Sequence, residues 1–508
     1  MAPLAVCALA GAILAACGSS GSTGASTATT NGATTAGAVK GGTLTIVGSG
    51  DVDYFDTAAA YYDVTYILMR AVSRQLYVVP TKALTSDQVA PVPDLATAMP
   101  TITNGGKTYT IHIRQGAQWD TTPPRQVTAA DEVTGIKRLC NPSAPVGAPG
   151  YFENTIVGMK AFCDGFANIG ATAAAQKAYI QGHDIAGVKA VDPSTVQFNL
   201  MSPAADFINI LAMTFSSPAP VEALDHVPGS ADLGQHWISD GPYSVQSYTP
   251  NTSITLVRNK AWKSSSDPVR PAYVNEIDIK EGVANTPTAA VQQIQAGTAD
   301  MEWDQNVATA QLAGMVSSHD PNLLIGPQGD NNYLNLNPIL VMNLQSPNAN
   351  GALKNLKVRQ AIEYAINKTA DSQVYGGAEV SKPLDQLVPG ADAGSVSGYD
   401  PYPTPGDNGD PAKAKSLLSE AGYGPSNPLK LTLVYRTNTV HPQIAQTDQA
   451  ALQAAGITIN LVPVPPSAFY TQYLQNPSAS QAGKWDLAEA GWNPDWLGNN
   501  GRSMIVPL

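Results

Sequence analysis

Charge is what this chain has least of. Asp, Glu, Lys and Arg supply 13 % of its 508 residues, against about a quarter in an ordinary soluble domain. The 28 basic residues are outnumbered by 40 acidic ones, for a net charge of −12. No cluster of Lys and Arg offsets that excess. Nucleic acid as a partner is therefore excluded, since phosphate binding needs a basic face. Long apolar runs are missing as well: Leu4 to Leu14 is apolar and small, but too short to span a bilayer and followed by no stop-transfer pattern. The six histidines, His112, His183, His226, His236, His319 and His441, show no second His or Cys at ligand spacing, so no zinc site is argued from them. Gly406 to Asp410 resembles the start of a calcium loop, but the acidic residue required at the twelfth position is absent, and a turn before a helix is the better reading. Neither a nucleophile elbow nor a phosphate-cradling loop occurs, which leaves a secreted hydrolase or kinase little support, although a convergent triad has no motif to show. The expectation is a chain that is not an enzyme and carries no cofactor and no metal.

Cysteine is scarce, with four in all, and each has a reading. Cys17 closes the run Leu14, Ala15, Ala16, Cys17 after the short apolar stretch that also holds Cys7. This is the pattern of a signal peptide over 1–17 whose last residue is cleaved and lipidated. Two acyl chains at about 0.8 kcal/mol per buried methylene would hold the protein to a membrane without a transmembrane helix. No Lys or Arg precedes Cys17, which leaves a start further upstream open. Residues 18–40 are almost wholly Gly, Ser, Thr and Ala, a flexible linker with an r.m.s. span of roughly 25 Å. Cys140 and Cys163 remain. In an oxidising compartment they are expected to join, stabilising by about 3 kcal/mol on the chain-entropy model; two separate buried thiols are the alternative.

Apolar residues make up 43 % of the chain, enough to build two or three lobes. Thr43 to Val47 reads as a strand ended by Gly48, Ser49 and Gly50; the glycine spacing of a dinucleotide fingerprint fails after that point. Thr108 to Arg114 alternates as a half-buried strand, and Thr128 to Asp131 opens a helix through Ile136 and Leu139 as a near capping box. Val358, Ala361, Ile362, Ala365 and Ile366 recur on one helical face. Asp410, Pro411 and Gly422 bracket another helix over 412–421. Strand 431–435, helix 442–455 and strand 457–462 form a βαβ unit with parallel strands. Near the end, Gly491, Trp492, Asn493, Pro494, Asp495 and Trp496 place a carboxylate three residues after an indole in a turn, an arrangement suited to a cationic ligand group beside an aromatic wall. Taken alone, a structural turn with a core Trp and a capping Asp explains it better.

Several segments together resemble the family 5 extracellular solute-binding proteins of ABC transporters. They are Thr108 to Trp119 with Val127 to Asp131; Asp240 to Tyr243 with Arg258, Asn259 and Trp262; Gln295 to Asp300; and Val358 to Ile366, in family order. The resemblance implies an α/β fold of the type II periplasmic-binding-protein class, two lobes around a hinge with an additional α+β domain. Its expected division is 41–70, 185–285 and 485–508 in lobe I, 71–184 in the extra domain II, and 286–484 in lobe II. It also implies a chain that stops before the elements completing lobe I. The implied function is capture of peptides or similar small solutes and delivery to ABC permease subunits, by a monomer on the outer face of the cell membrane. A surface peptide sensor or chaperone on the same fold, or a receptor for a non-peptide cationic solute, is the alternative. By the same resemblance Asp495 pairs with a ligand ammonium group and Trp492 forms the wall, which reverses the odds on that turn. Tyr151 falls near a ligand-contacting tyrosine, with a packing role equally open. Glu489 departs from a position where relatives can carry a cation for the peptide carboxylate, and is expected to repel one.

Overall fold

The computed structural model describes residues 38–80, 90–145, 149–305, 307–323, 336–378, 381–390, 394–496 and 501–505. Cys7, Cys17 and nearly all of the expected linker lie outside these. Among the described residues, no helix is long and apolar enough to cross a membrane.

Three sheets of four or five strands organise the chain. In lobe I the order is Tyr243–Thr249, Ser253–Arg258, Glu276–Lys280, Thr43–Val47, Met301–Glu302. The first three pair antiparallel and the last two add in parallel. Alternation puts Ile254 and Leu256 on the inner face, where a register slip of one residue would expose both. Helix Asp63–Val72 covers them with Val64, Leu68, Met69 and Val72, while Asp63 in its first turn and Arg70 in its last suit the helix dipole. Gly241 is required here: a Cβ would meet the Ala71 carbonyl at 2.6 Å. Asn259 donates to the Gly241 carbonyl at 2.9 Å, and the Arg258 guanidinium lies 5.3 Å from the Tyr243 ring centre. These motif residues hold one another rather than a ligand.

Domain II has the antiparallel order Thr101–Thr103, Thr108–His112, Thr195–Asn199, Val188–Asp192. Helix Ala129–Arg138 starts where the capping pattern places it, with the Thr128 amide donating to Asp131 at 2.8 Å. Beyond its end Cys140 is bonded to Cys163 of helix Met159–Phe166, with Cα atoms 5.0 Å apart. Lobe II has the order Leu336–Met342, Leu487–Trp492, Leu429–Arg436, Ile457–Val464. The βαβ unit runs Leu429–Arg436, His441–Ala454, Ile457–Val464 with parallel strands. One face of this sheet packs under helices Leu356–Ala365, Pro411–Glu420 and His441–Ala454. The other carries Val434, Val464, Phe469, Trp485, Ala488 and Ala490.

Strand pairing departs from the expected division at three points. Strands 188–192 and 195–199, expected in lobe I, belong to the sheet of domain II, where Val196 and Phe198 pair with Ile111 and Tyr109. Strand 301–302, expected in lobe II, adds to Thr43–Val47 and brings Trp303 into the lobe I core. Strand 487–492, expected in lobe I, lies inside the lobe II sheet between 336–342 and 429–436. In each case the sheet a short strand joins is set by pairing with residues far away in sequence, a choice no local window contains.

Buried ion pairs lock the loop that leads from lobe I towards domain II. Arg138 donates to both oxygens of Asp56 at 2.9 Å, with both side chains at or below 1 % exposure. Arg74 and Arg270 converge on Asp94 at 2.6 and 2.7 Å. Removing one partner of such a pair typically costs about 3–5 kcal/mol, because the other is left charged and buried.

Candidate functional site

The lobes and domain II meet around Asp495. Lobe I supplies Tyr61, Tyr62 and Asp63 from the loop and first turn of helix 63–72. Domain II supplies Tyr151 from the short helix Pro149–Glu153, and Phe215. The end of strand Leu487–Trp492 and the turn after it supply Trp492, Asn493 and Asp495. Asp495 Oδ2 accepts from the Tyr151 hydroxyl at 2.5 Å and from the Tyr61 hydroxyl at 3.2 Å. The Tyr61 ring stands edge-on to both Trp492 and Phe215, at 5.6 and 5.2 Å between centres. Tyr151 is fully buried and packs edge-on against Trp496 at 5.1 Å. Sequence reasoning placed Asp495, Trp492 and Tyr151 separately, and the fold brings all three together. It missed Tyr61, which lies in a loop with no motif.

Electrostatically the recess is acidic, with Arg436 opposing the charge of Asp63. Burial pushes Asp495 up to about 7; the tyrosine hydroxyls oppose that shift and neighbouring Asp63 adds repulsion. Asp53 is pushed up to about 6 by burial, against hydrogen bonds from Thr65 and from backbone amides including those of Tyr61 and Tyr54. Asp63 is exposed to solvent in the recess yet walled by protein, and its carboxyl is also raised; Asn493 donates to it. Nearby Arg502 is committed elsewhere, bidentate to Asp206 at 2.8 and 2.9 Å and to Thr155 at 2.9 Å. Among the described residues, no cationic side chain forms an ion pair with Asp495. Burial disfavours the charged form of this carboxyl, and the two hydroxyl donors favour it.

Lobe II contributes a cation on its own side. Arg436 ends strand Leu429–Arg436, its guanidinium 5.7 and 5.8 Å from the ring centres of Phe469 and Tyr470, with Nη2 donating to Asn337 at 3.2 Å. Its buried Nε has no hydrogen-bond partner among the described residues. Gly491 permits this approach: a Cβ there would meet Asn337 Oδ1 at 2.9 Å and the arginine at 3.2 Å. Tyr62 joins the lobes through a hydroxyl bond to the Pro466 carbonyl and an edge contact to Tyr470 at 5.6 Å.

Glu489 does not act as the sequence suggests. It is fully buried, with one oxygen 3.4 Å from His441 at the start of helix His441–Ala454, and burial together with repulsion from Asp371 pushes it up to about 9 despite Arg436. A carboxyl neutral at pH 7 repels no anion. Two concavities lie apart from Asp495: about 530 Å3 among Asn367, Val374, Gln443 and Thr447, and about 220 Å3 between Asp51–Phe55, Gly229–Ala231 and Ser467.

The lobes and domain II thus meet over a recess that sets the carboxyls of Asp495 and Asp63 beside an aromatic wall. The bacterial extracellular solute-binding proteins, family 5 (middle region) match over residues 90–504. The chain belongs to this family. It is 28 % identical over 414 residues to the dipeptide-binding protein of Escherichia coli, covering 78 % of this chain and 66 % of that one. It is 26 % identical over 345 residues to the probable deoxycholate-binding periplasmic protein YgiS of the same organism, covering 68 % and 58 %. The chain thus spans about three fifths to two thirds of the length of these curated relatives. The Escherichia coli murein tripeptide binding protein MppA superposes with a TM-score of 0.73 at 21 % identity, over 92 % of this chain and 82 % of that one. That likeness shows the fold, the type II periplasmic-binding class with its additional domain.

Proposed function

We propose that the chain captures a peptide or peptide-like solute between its lobes and hands it to the permease of an ABC transporter. Asp495 takes the ligand's ammonium group, Tyr151 and Tyr61 orient that carboxylate, and Trp492 is the wall. The observation that carries this is the desolvated Asp495 carboxyl, served by two hydroxyls and, among the described residues, by no ion-paired cation. Arg436, whose Nε has no partner among the described residues and whose guanidinium lies beside two aromatic rings, is the counterpart for the ligand's carboxylate. A cationic, non-peptide solute would satisfy Asp495 but leave Arg436 without a role, so the zwitterion is favoured. Closure on ligand is the signal a permease reads, since it must bind the closed form better than the open one. Export and tethering through lipidated Cys17, with the body acting as a monomer, complete the reading.

Mass spectrometry of the solute released from natively purified protein tests it. A small molecule with a free amino group and a carboxylate is expected. A ligand lacking an amino group refutes the role of Asp495, and one lacking a carboxylate refutes that of Arg436. Neighbouring genes for two permeases and two ATPases are expected; their absence favours a sensor or chaperone.

A further inference from the structure

Away from the cleft, the fold assembles two histidines and one carboxylate that the sequence scatters. His226 follows the 3-10 turn Val221–Asp225, Asp232 lies in the first turn of helix Ala231–Gln235, and His236 caps its end. His226 Nδ1 is 2.6 Å from Asp232 Oδ2, and His236 Nδ1 is 3.2 Å from Asp232 Oδ1. The imidazoles stack at 4.9 Å between centres and 14° between planes. One carboxylate is thus shared by two rings, and ligand atoms of all three residues lie within 4.8 Å of one another.

From this geometry we infer that His226, Asp232 and His236 form a surface site for a divalent transition-metal ion of the zinc class. A tetrahedral zinc ion with bonds of about 2.0–2.1 Å holds its ligand atoms about 3.3 Å apart. The two short pairs use different oxygens of Asp232, and with one ligand atom from each residue all separations lie within 4.8 Å, so the set must contract or rotate by at most about 1.5 Å to reach that spacing. Two imidazoles with one carboxylate select Zn, Co, Ni or Cu over Ca and Mg, and leave a position open for water. The platform is firm: Leu233 is 1 % exposed, Ser230 caps the helix, and a Cβ on Gly234 would strike Phe55 and Tyr248. The rings are accessible, with side-chain exposures of 22 % and 58 % against 60 % for the aspartate. In the empty state each Nδ1 faces an oxygen, and His236 Nδ1 also lies 2.9 Å from the Asp232 carbonyl. Ligation through Nδ1 places each ring proton on Nε2. The ion would pin the 226–236 segment, whose Gly229 amide donates to Asp56 and whose Gly229–Ala231 stretch lines the 220 Å3 cavity.

Calorimetric titration of the full chain with zinc chloride at pH 7.5, with Co(II) absorption as the spectroscopic probe, tests this. One saturable ion per chain and a tetrahedral cobalt spectrum are expected. His226→Ala and His236→Ala should each weaken binding by at least about tenfold, the smaller end of what even outer partners of a metal cost. Both side chains are at the surface, so circular dichroism should show each variant folded. Absence of saturable binding overturns the proposal, and so does zinc affinity that survives the double substitution, which would assign the ion to thiols or to other histidines.

Discussion

Ligand affinity should depend on pH through Asp495, and the size of the dependence follows from its surroundings. In the empty receptor burial raises this carboxyl to about 7, while an ammonium ligand requires it ionised. Above pH 7 the carboxylate is present and affinity is at its plateau. Below that, each pH unit costs about 1.4 kcal/mol, or tenfold, because a proton must be removed before the ligand is seated. At pH 5 the loss is about 2.7 kcal/mol, roughly 100-fold, and it persists until the lower pKa of the bound state is reached. Asp495→Asn keeps an acceptor for both tyrosine hydroxyls but has no charge to lose. Its affinity at pH 8 should be weaker by about 1.5–3 kcal/mol, and the phase centred near pH 7 should vanish. Isothermal titration from pH 5 to 8.5, in two buffers of different ionisation enthalpy, reads both affinity and proton release. A wild-type profile flat across that range, or an equal slope near pH 7 in Asp495→Asn, would refute the reasoning.

Tyr151→Phe removes a hydroxyl that lowers the Asp495 pKa, so the midpoint of the binding profile should move to higher pH; a midpoint unmoved or lowered would contradict the hydrogen bond. Cys140→Ser with Cys163→Ser should lower stability by about 3 kcal/mol in urea melts, from the 23-residue separation of the bonded cysteines, and a stability equal to that of the oxidised protein would count against the linkage. Glu489→Gln should be tolerated. The folded value of Glu489 is raised to about 9, so the stability it contributes below its unfolded pKa is lost as pH rises towards 9. The Gln variant should therefore gain on the wild type steadily between pH 5 and 9, and a constant difference in chemical denaturation would show that Glu489 is ionised in the folded state.

The Glu489 result shows where reading a sequence stops. Its charge is legible but its burial is not, and burial beside Asp371 reverses what the charge implies. Trp492 and Asp495 were legible because Gly491 and Pro494 mark a turn and an indole with a carboxylate is a recognisable pair. Tyr61 and Arg436 were not: one lies in a featureless loop and the other is a cation at the end of an apolar strand.

By itself the sequence determined every element whose cause is local. Asp410 and Pro411 start a helix over Pro411–Glu420 because one caps the first amides and the other has none to satisfy. The apolar spacing from Val358 to Ala365 makes one buried face, and alternation makes the strands of the βαβ unit. Family membership was likewise legible, because it lies in the order of such segments. Only the tertiary structure decided which strands share a sheet, that 487–492 closes lobe II, and that Asp495 is desolvated beside Tyr61 and Tyr151. These depend on pairings across up to 434 residues and on exclusion of water by distant segments. Periodicity in a window specifies which face a segment buries, and nothing in that window specifies what it is buried against.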